Sequence, residues 1–326
     1  CSSNQKQIGL AIHNFNDANK ALPPVCMFAD RVTIFAYLFP FIERQALTDI
    51  LTNTNRFALY PPDLNAGALT NSAWFNGLSE ENKSAFGSVS IYRCPSNDNP
   101  EYKTGTDKNG PLSDYAVPIV KSNGDRNRFA WFALHDYGSD STGDVSKFVG
   151  PFRVPILTFP TTGDAWQFGK GRYVRSAKFR DKISWWSDGA SNQLCFGEKH
   201  IPAWALKKMT NQSAGWNGSY MFVYSSYYSA NVGRLVSNNA NLIAKGPQET
   251  KTHVTWRDSD AVFYADSNGN YAASSEFGAY LWGSSHPGVL NFLVGDGTVR
   301  AISTSILPDI VRKLSQVNDG GAVAIP

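Results

Sequence analysis

Apolar residues recur at helical spacing at the head of the chain. Ile8, Ala11, Ile12, Phe15 and Ala18 fall at i, i+3, i+4, i+7 and i+10, with Lys6, Gln7, Asn14, Asn16 and Asp17 largely elsewhere on the wheel. This predicts an amphipathic helix over 1–22, stopped by Pro23 and Pro24, since proline removes a donor and disfavours helix in the residue before it. Ile42, Ala46, Leu47, Ile50 and Leu51 repeat the spacing and predict a second helix over 41–51. From there to about Gly150, short apolar runs alternate with Asn, Asp, Gly and Pro clusters; "SVSIYRCPSNDNP" at 88–100 reads as a strand running into a turn.

Further strands are predicted over 192–198 and 219–229 and as a pair within 288–303, before a closing helix around 307–317. Val289, Leu290, Phe292, Leu293 and Val294 are apolar on both faces of the first strand of that pair, which places it inside a sheet. Asn291 is the polar exception there and needs a partner if buried. Asp296-Gly297 joins the pair and predicts a type I′ hairpin turn, with positive φ at both central residues. No internal repeat is visible, which excludes solenoids and propellers. A helix followed by antiparallel strands is an α+β arrangement.

Composition narrows the function. With 326 residues, 42% of them hydrophobic and 13% aromatic, the chain can fill the core of one large domain. The net charge of +3 is spread along the chain without a Lys/Arg block, so nucleic acid is not an expected partner. No run of apolar residues within 1–326 is long enough to span a bilayer, and these residues contain no basic-then-apolar signal segment. The cysteines Cys1, Cys26, Cys94 and Cys195 lack C-x-x-C spacing, against a zinc ribbon or a thioredoxin-type pair; their connectivity stays open at this point.

His286 and Asp296 invite a general-base or ligand reading, as imidazole with carboxylate. A strand over 288–294, rising about 3.3 Å per residue, puts its ends on the order of 20 Å apart, so the two sit at opposite ends of it and Asp296 reads as a turn residue. Glu198 closes another central strand, and if the strands are neighbours it can hold His286 by a charge-assisted hydrogen bond; a metal or catalytic role and no contact at all are the alternatives. Asp188, Ser191 and Asn192 read as turn chemistry before a strand, and Ser191 lacks a nucleophile-elbow pattern. His13 reads as a packed or half-exposed helix residue. The Trp-rich stretches, with Trp131, Trp185, Trp186 and Trp216, suit core, subunit contact or stacking on sugar rings.

Four separated stretches resemble one family. "CSSNQKQIGLAIHNFNDANKALPP" at 1–24, "YRCPSN" at 92–97, "SDGASNQLCFGE" at 187–198 and "SSHPGVLNFLVGDGTVRAIS" at 284–303 are similar to bacterial type IV pilin-like (pseudopilin) proteins with a prepilin-type cleavage/methylation signal and a C-terminal H-x9-D-G signature, here His286, Asp296 and Gly297. Gln5 stands where the family carries leucine, Ala190 where it carries threonine, Val289 where it carries the second glycine after His-Pro-Gly, and Gly295 where it carries alanine. Gln5 predicts a less buried helix face.

The resemblance implies a pilin-like α+β fold, with the N-terminal helix packed on an antiparallel sheet and a large loop-rich β insertion. It divides a single ectodomain, 1–326, into helix remainder at 1–22, elaborated region at 23–185 and sheet core at 186–326. It implies a precursor with a basic leader and an apolar helix continuing into Cys1, which holds the membrane first and like subunits afterwards. The expected role is a non-enzymatic structural subunit of a pseudopilus or pilus-like assembly at the bacterial surface, extracellular or periplasmic, with the secretion or pilus machinery as partner. The alternative is a surface module binding glycan or protein through its aromatic loops. Cys1 and Cys94 both lie in family-like stretches, which favours that disulfide, with Cys26–Cys195 as complement. No cofactor is expected. Some pseudopilins bind calcium in Asp-rich loops, and the nearest stretches here are Asp266, Asn268 and Asn270, and Asp107 and Asn109; both lack the EF-hand glycine and closing Glu, and a turn is the preferred reading.

Overall fold

The helical spacing at the head of the chain becomes α1, Ser2–Asn19, in a computed structural model that describes residues 1–26, 32–54, 71–97, 102–103, 110–120, 149–158, 176–200, 232–236, 243–244, 251–254, 262–264, 279–318, 320, 323 and 325. Ile8, Ala11, Ile12 and Phe15 are buried, while Ala18 is exposed because the helix is already ending: Lys20 caps it in the left-handed conformation, ahead of the prolines. The short helices α2 (Ile34–Tyr37), α3 (Gln45–Thr54), α4 (Asn71–Asn76) and α5 (Glu80–Gly87) follow, and α6 (Pro308–Ser315) closes the chain as expected.

The second predicted helix is corrected. Phe39–Ile42 is a 3-10 turn, Glu43 turns back at φ 60°, and only then does α3 begin, burying Leu47 and Leu51 and exposing Ala46. The break lets Phe41 reach Phe15, whose ring also meets Tyr37 and Phe179 edge-on at centroid distances of 5.5, 6.3 and 5.2 Å in that order. The strand predicted within 88–100 is also corrected: Ser90–Tyr92 is a 3-10 turn. Its backbone bonds to a neighbour instead of a ladder, with Asp114 N–H donating to Tyr92 O at 2.9 Å, and the Tyr92 side chain is anchored by its Oη donating to Phe35 O at 2.8 Å.

The strands are β1 (Tyr102–Lys103), β2 (Gly110–Pro111), β3 (Tyr115–Ile119), β4 (Ile156–Thr158), β5 (Ser176–Lys178), β6 (Leu194–Glu198), β7 (Gly233–Leu235), β8 (Lys251–Val254), β9 (Val262–Tyr264), β10 (Ala279–Tyr280), β11 (Val289–Val294) and β12 (Val299–Ser303). The central sheet has five strands in the order β12-β11-β6-β3-β7. Its pairs are antiparallel except β3–β7, so the sheet is mixed, a departure from the antiparallel expectation. β1–β2, β4–β5 and β10-β8-β9 form smaller sheets. The strand predicted over 219–229 and part of the elaboration at 23–185 lie outside the described residues.

β11 is an interior strand, and its two-sided apolarity has a visible use. Leu293, opposite Phe196, lies on the face that receives α1, where a Cβ on Gly9 would stand 2.8 Å from Leu293 Cδ1. Phe292, opposite Gly197, faces the other way and stacks on buried Trp282 at 5.0 Å. Gly197 makes room for both rings, since a Cβ there would lie 2.3 Å from Phe292 Cε1 and 2.6 Å from Trp282 Cζ3. Gly197→Ala is therefore expected to cost about 1–3 kcal/mol through overpacking. A urea midpoint equal to that of the parent would show that the rings yield freely.

The Asp296-Gly297 turn joins β11 to β12, but not as a type I′ turn. Gly297 alone takes positive φ, 85°; Asp296 does not. Gly297 N–H donates to Val294 O at 2.9 Å and Val294 N–H to Thr298 O at 2.8 Å, a type I turn followed by a left-handed glycine bulge. Asp296 Oδ1 accepts from Thr298 N at 2.9 Å and from Thr298 Oγ1 at 2.7 Å, which holds its side chain in the turn.

Gln5 is the second correction on α1. It is fully buried, and its Nε2 donates to Asn291 O at 3.0 Å. An amide replaces the apolar residue because it reaches a strand carbonyl. With His13 Nε2 at 2.9 Å from Gly295 O, this ties α1 along the length of β11, from its first half to the turn after it.

Candidate functional site

The first turn of α1, the segment after the Ser90–Tyr92 turn, the end of β6 and the bend before β11 converge at one end of the central strands. Cys1 is joined to Cys94 by a disulfide, Cα–Cα 4.8 Å. Asn4 Nδ2 clamps the same segment by donating to Ser90 O at 3.1 Å and Arg93 O at 2.7 Å. Tyr115 Oη reaches Cys1 O at 3.4 Å. Cys26 and Cys195 do not pair, contrary to the expected complement. They are free thiols, each enclosed in the core on a different segment, and burial pushes both well above the ordinary thiol range, which makes them unreactive.

Glu198 ends β6 facing the disulfide. Its Oε2 accepts from Asn291 N at 2.6 Å and Asn291 Nδ2 at 3.2 Å, which supplies the partner that Asn291 required. Its Oε1 stands 3.3 Å from His286 Nε2, because β6 and β11 are antiparallel neighbours that bring the end of one beside the start of the other. Cys94 Sγ lies 3.8 Å from Glu198 Oε1 and 3.9 Å from His286 Nε2. Ser284 Oγ fixes the bend by accepting His286 N–H at 2.9 Å and donating to Val289 O at 2.7 Å. Among the described residues, Cys1, Cys94, Glu198 and His286 are a set of donor atoms, all within 4.8 Å of one another, close enough to share one metal ion.

Burial pushes the Glu198 carboxyl above its ordinary range, against the pull of the Asn291 N–H, the His286 charge and the Asn291 amide. In the disulfide form the folded chain therefore holds a proton that the unfolded chain has released, over a window that opens at 4.5 and extends upward. There the native state binds more protons than the unfolded state, so stability falls as pH rises through the window. Glu198→Gln is expected to flatten that slope in urea midpoints taken from acidic to neutral pH. A parallel slope in the variant would assign the dependence to another group.

Asp114 is a residue that sequence reading missed, although it stands in the stretch "DKNGPLSDY" weighed for calcium. It is fully buried, its Oδ2 accepts Cys94 N–H at 2.7 Å, and Arg93 Nε lies 3.6 Å away. Buried Lys199, next to Glu198, has its ammonium pushed well below the usual range by burial and by Arg234, with Asp114 opposing. No short motif marks Asp114; its role exists only once β3 lies beside β6.

The remaining candidates lie elsewhere. Asp296 and Gly297 are at the far end of β11 from His286. Asn192 Nδ2 donates to Asp188 O at 3.1 Å around a 3-10 turn, Ala190–Asn192, as turn chemistry. Trp186 is core: it is buried, and its Nε1 donates to Pro151 O at 3.0 Å. Trp185 Nε1 donates to Gly150 O at 3.1 Å, and its ring is capped by the Arg153 guanidinium at 3.5 Å, which Asp181 holds in a short ion pair. Neither ring forms an open platform for a sugar. Trp131, Trp216, Asp107, Asn109, Asp266, Asn268 and Asn270 lie outside the described residues.

A family model described as "Protein of unknown function (DUF1559)" matches residues 1–309. No curated protein and no solved structure matches the chain. No helix among the described residues is long and apolar enough to cross a membrane.

Proposed function

The chain belongs to the family described as Protein of unknown function (DUF1559), and from that premise we propose that it is the head domain of a pilin-like structural subunit, without catalytic activity of its own. The observation that carries this reading is the seat of α1. Its apolar face, with Ile8, Ile12 and Phe15, is buried; Gly9 lies close against Leu293 and Gly297, Gln5 and His13 tie the helix to β11 and the turn after it, and the disulfide staples it at Cys1. Its opposite face is open, with Leu10 61% exposed.

A helix held this way can transmit load from a membrane-embedded or fibre-embedded extension into the sheet without peeling off. The disulfide suits an oxidising compartment outside the cytoplasm. In this reading the subunit meets like subunits, and the machinery that assembles them, through the helix upstream of Cys1. The Glu198–His286 pair and the disulfide hold that end of the central strands together.

The test is processing and assembly of the full-length gene product co-expressed with a prepilin peptidase. The expected result is a leader cleaved only when the peptidase is active, and sedimentable filaments containing the processed chain. An unprocessed product that stays monomeric overturns the reading.

A further inference from the structure

We propose that Cys1, Cys94, Glu198 and His286 form a redox-gated site for a tetrahedral divalent cation, zinc in particular, which replaces the disulfide when that bond is reduced. The geometry is nearly in place. A tetrahedral zinc with sulfur at about 2.3 Å and nitrogen or oxygen at about 2.0–2.1 Å has ligand-to-ligand edges of roughly 3.3–3.8 Å. The carboxylate–imidazole edge is 3.3 Å, and the edges from Cys94 Sγ to Glu198 Oε1 and His286 Nε2 are 3.8 and 3.9 Å. The edges that must change are those of Cys1 Sγ: the sulfur–sulfur edge has to open to about 3.8 Å, and the donor atoms, now as much as 4.8 Å apart, have to draw in, which side-chain rotation at Cα atoms 4.8 Å apart can provide.

The donor set selects the metal. Two thiolates, an imidazole and a carboxylate suit zinc, whereas calcium and magnesium require oxygen donors throughout. The surrounding shell is also that of a built site. Both Asn291 donors occupy Glu198 Oε2 and leave Oε1 aimed at the centre; Asp114 anchors the Cys94 backbone; Ser284 anchors that of His286. The His286 side chain, 28% exposed against 2% for Glu198, is the entry side.

The exchange balances with a dithiol as reductant. The Cys1–Cys94 bond breaks, two electrons and two protons pass from the dithiol to the two sulfurs, and the dithiol leaves as its own disulfide. Binding of one divalent ion then releases to solvent every proton the four donors still hold, the two thiol protons among them. In either state the same four segments stay tied together, once by a covalent bond and once by a metal.

The test uses the full chain, reduced with a dithiol, freed of it without air, and titrated with cobalt(II) as a probe that zinc displaces. Expected are one cobalt per chain with the intense visible bands of a tetrahedral thiolate site, none of these bands in the disulfide form, and affinity weakened more than about 10-fold by His286→Ala and by Glu198→Gln. Circular dichroism monitors folding of each form. A reduced chain without those bands, binding undiminished in both variants, or a reduced chain that unfolds and is not refolded by either metal overturns the proposal. The outcome is independent of the pilin reading, since a chain that never assembles can still bind metal.

Discussion

With Cys1 and Cys94 both changed to serine, the chain is expected to lose roughly 4–5 kcal/mol of stability. The bond closes a loop with a sequence separation of 93. Cross-linking a loop of this size removes roughly that much conformational freedom from the unfolded ensemble. The native state loses less, because Asn4 still clamps the Cys94 segment and Gln5 still holds β11. For a chain of this size the melting temperature should fall on the order of 10 °C. Urea and thermal unfolding of the Cys1→Ser/Cys94→Ser variant, set beside the reduced parent without metal, measure the effect. A loss below about 1 kcal/mol would mean that the reduced unfolded chain keeps these segments together by other contacts. If zinc replaces the bond, the reduced parent should regain most of the loss in its presence and the serine variant none of it.

The parts of this molecule legible in sequence are those in which a local pattern and the tertiary structure ask for the same thing. Ile8, Ile12 and Phe15 are spaced for one helix face, and that face is the buried one. The β11–β12 pair is bounded by its own turn signals, so its existence did not depend on distant residues. Where a distant partner decides, local signals misled. Gln5 suggests a less buried helix face, yet it is fully buried, with its Nε2 donating to the distant Asn291 O. Asp296-Gly297 promised a type I′ turn, but the Asp296–Thr298 bonds favour a turn in which only the glycine needs the left-handed region. The apolar run around Tyr92 looked like a strand until Phe35 and Asp114 took up its polar groups. The candidate site is legible in pairs: the family-like stretches favour Cys1 with Cys94, and Glu198 with His286 is one of the open readings, conditional on their strands being neighbours. That these pairs share one place follows from the β3-β6-β11 order, which no spacing in the sequence encodes.

Asp114→Ala is expected to cost about 3–5 kcal/mol, the range for removing one member of a buried ionic group and leaving the opposite charges behind. The carboxylate is fully buried between Arg93 and the Lys199 side of β6, and accepts the Cys94 backbone N–H. Alanine would remove that acceptor and the field opposing Lys199's loss of its proton, in a place water does not reach. Asp114→Asn separates the two contributions, because an amide oxygen can still accept the Cys94 N–H but carries no charge. It should fall between alanine and the parent. Replacing Lys199 by methionine should then soften the Asp114→Ala loss, since without Asp114 the buried amine must either keep its charge in a dry place or give up its proton; additive losses in that double-mutant cycle would sink the electrostatic account. The same variant tests this end of the central strands as a unit. If Asp114 positions Cys94, then Asp114→Ala in its folded fraction should also let a dithiol open the Cys1–Cys94 bond faster. A stability loss with unchanged reduction kinetics would confine Asp114 to charge balance and free the disulfide from dependence on it.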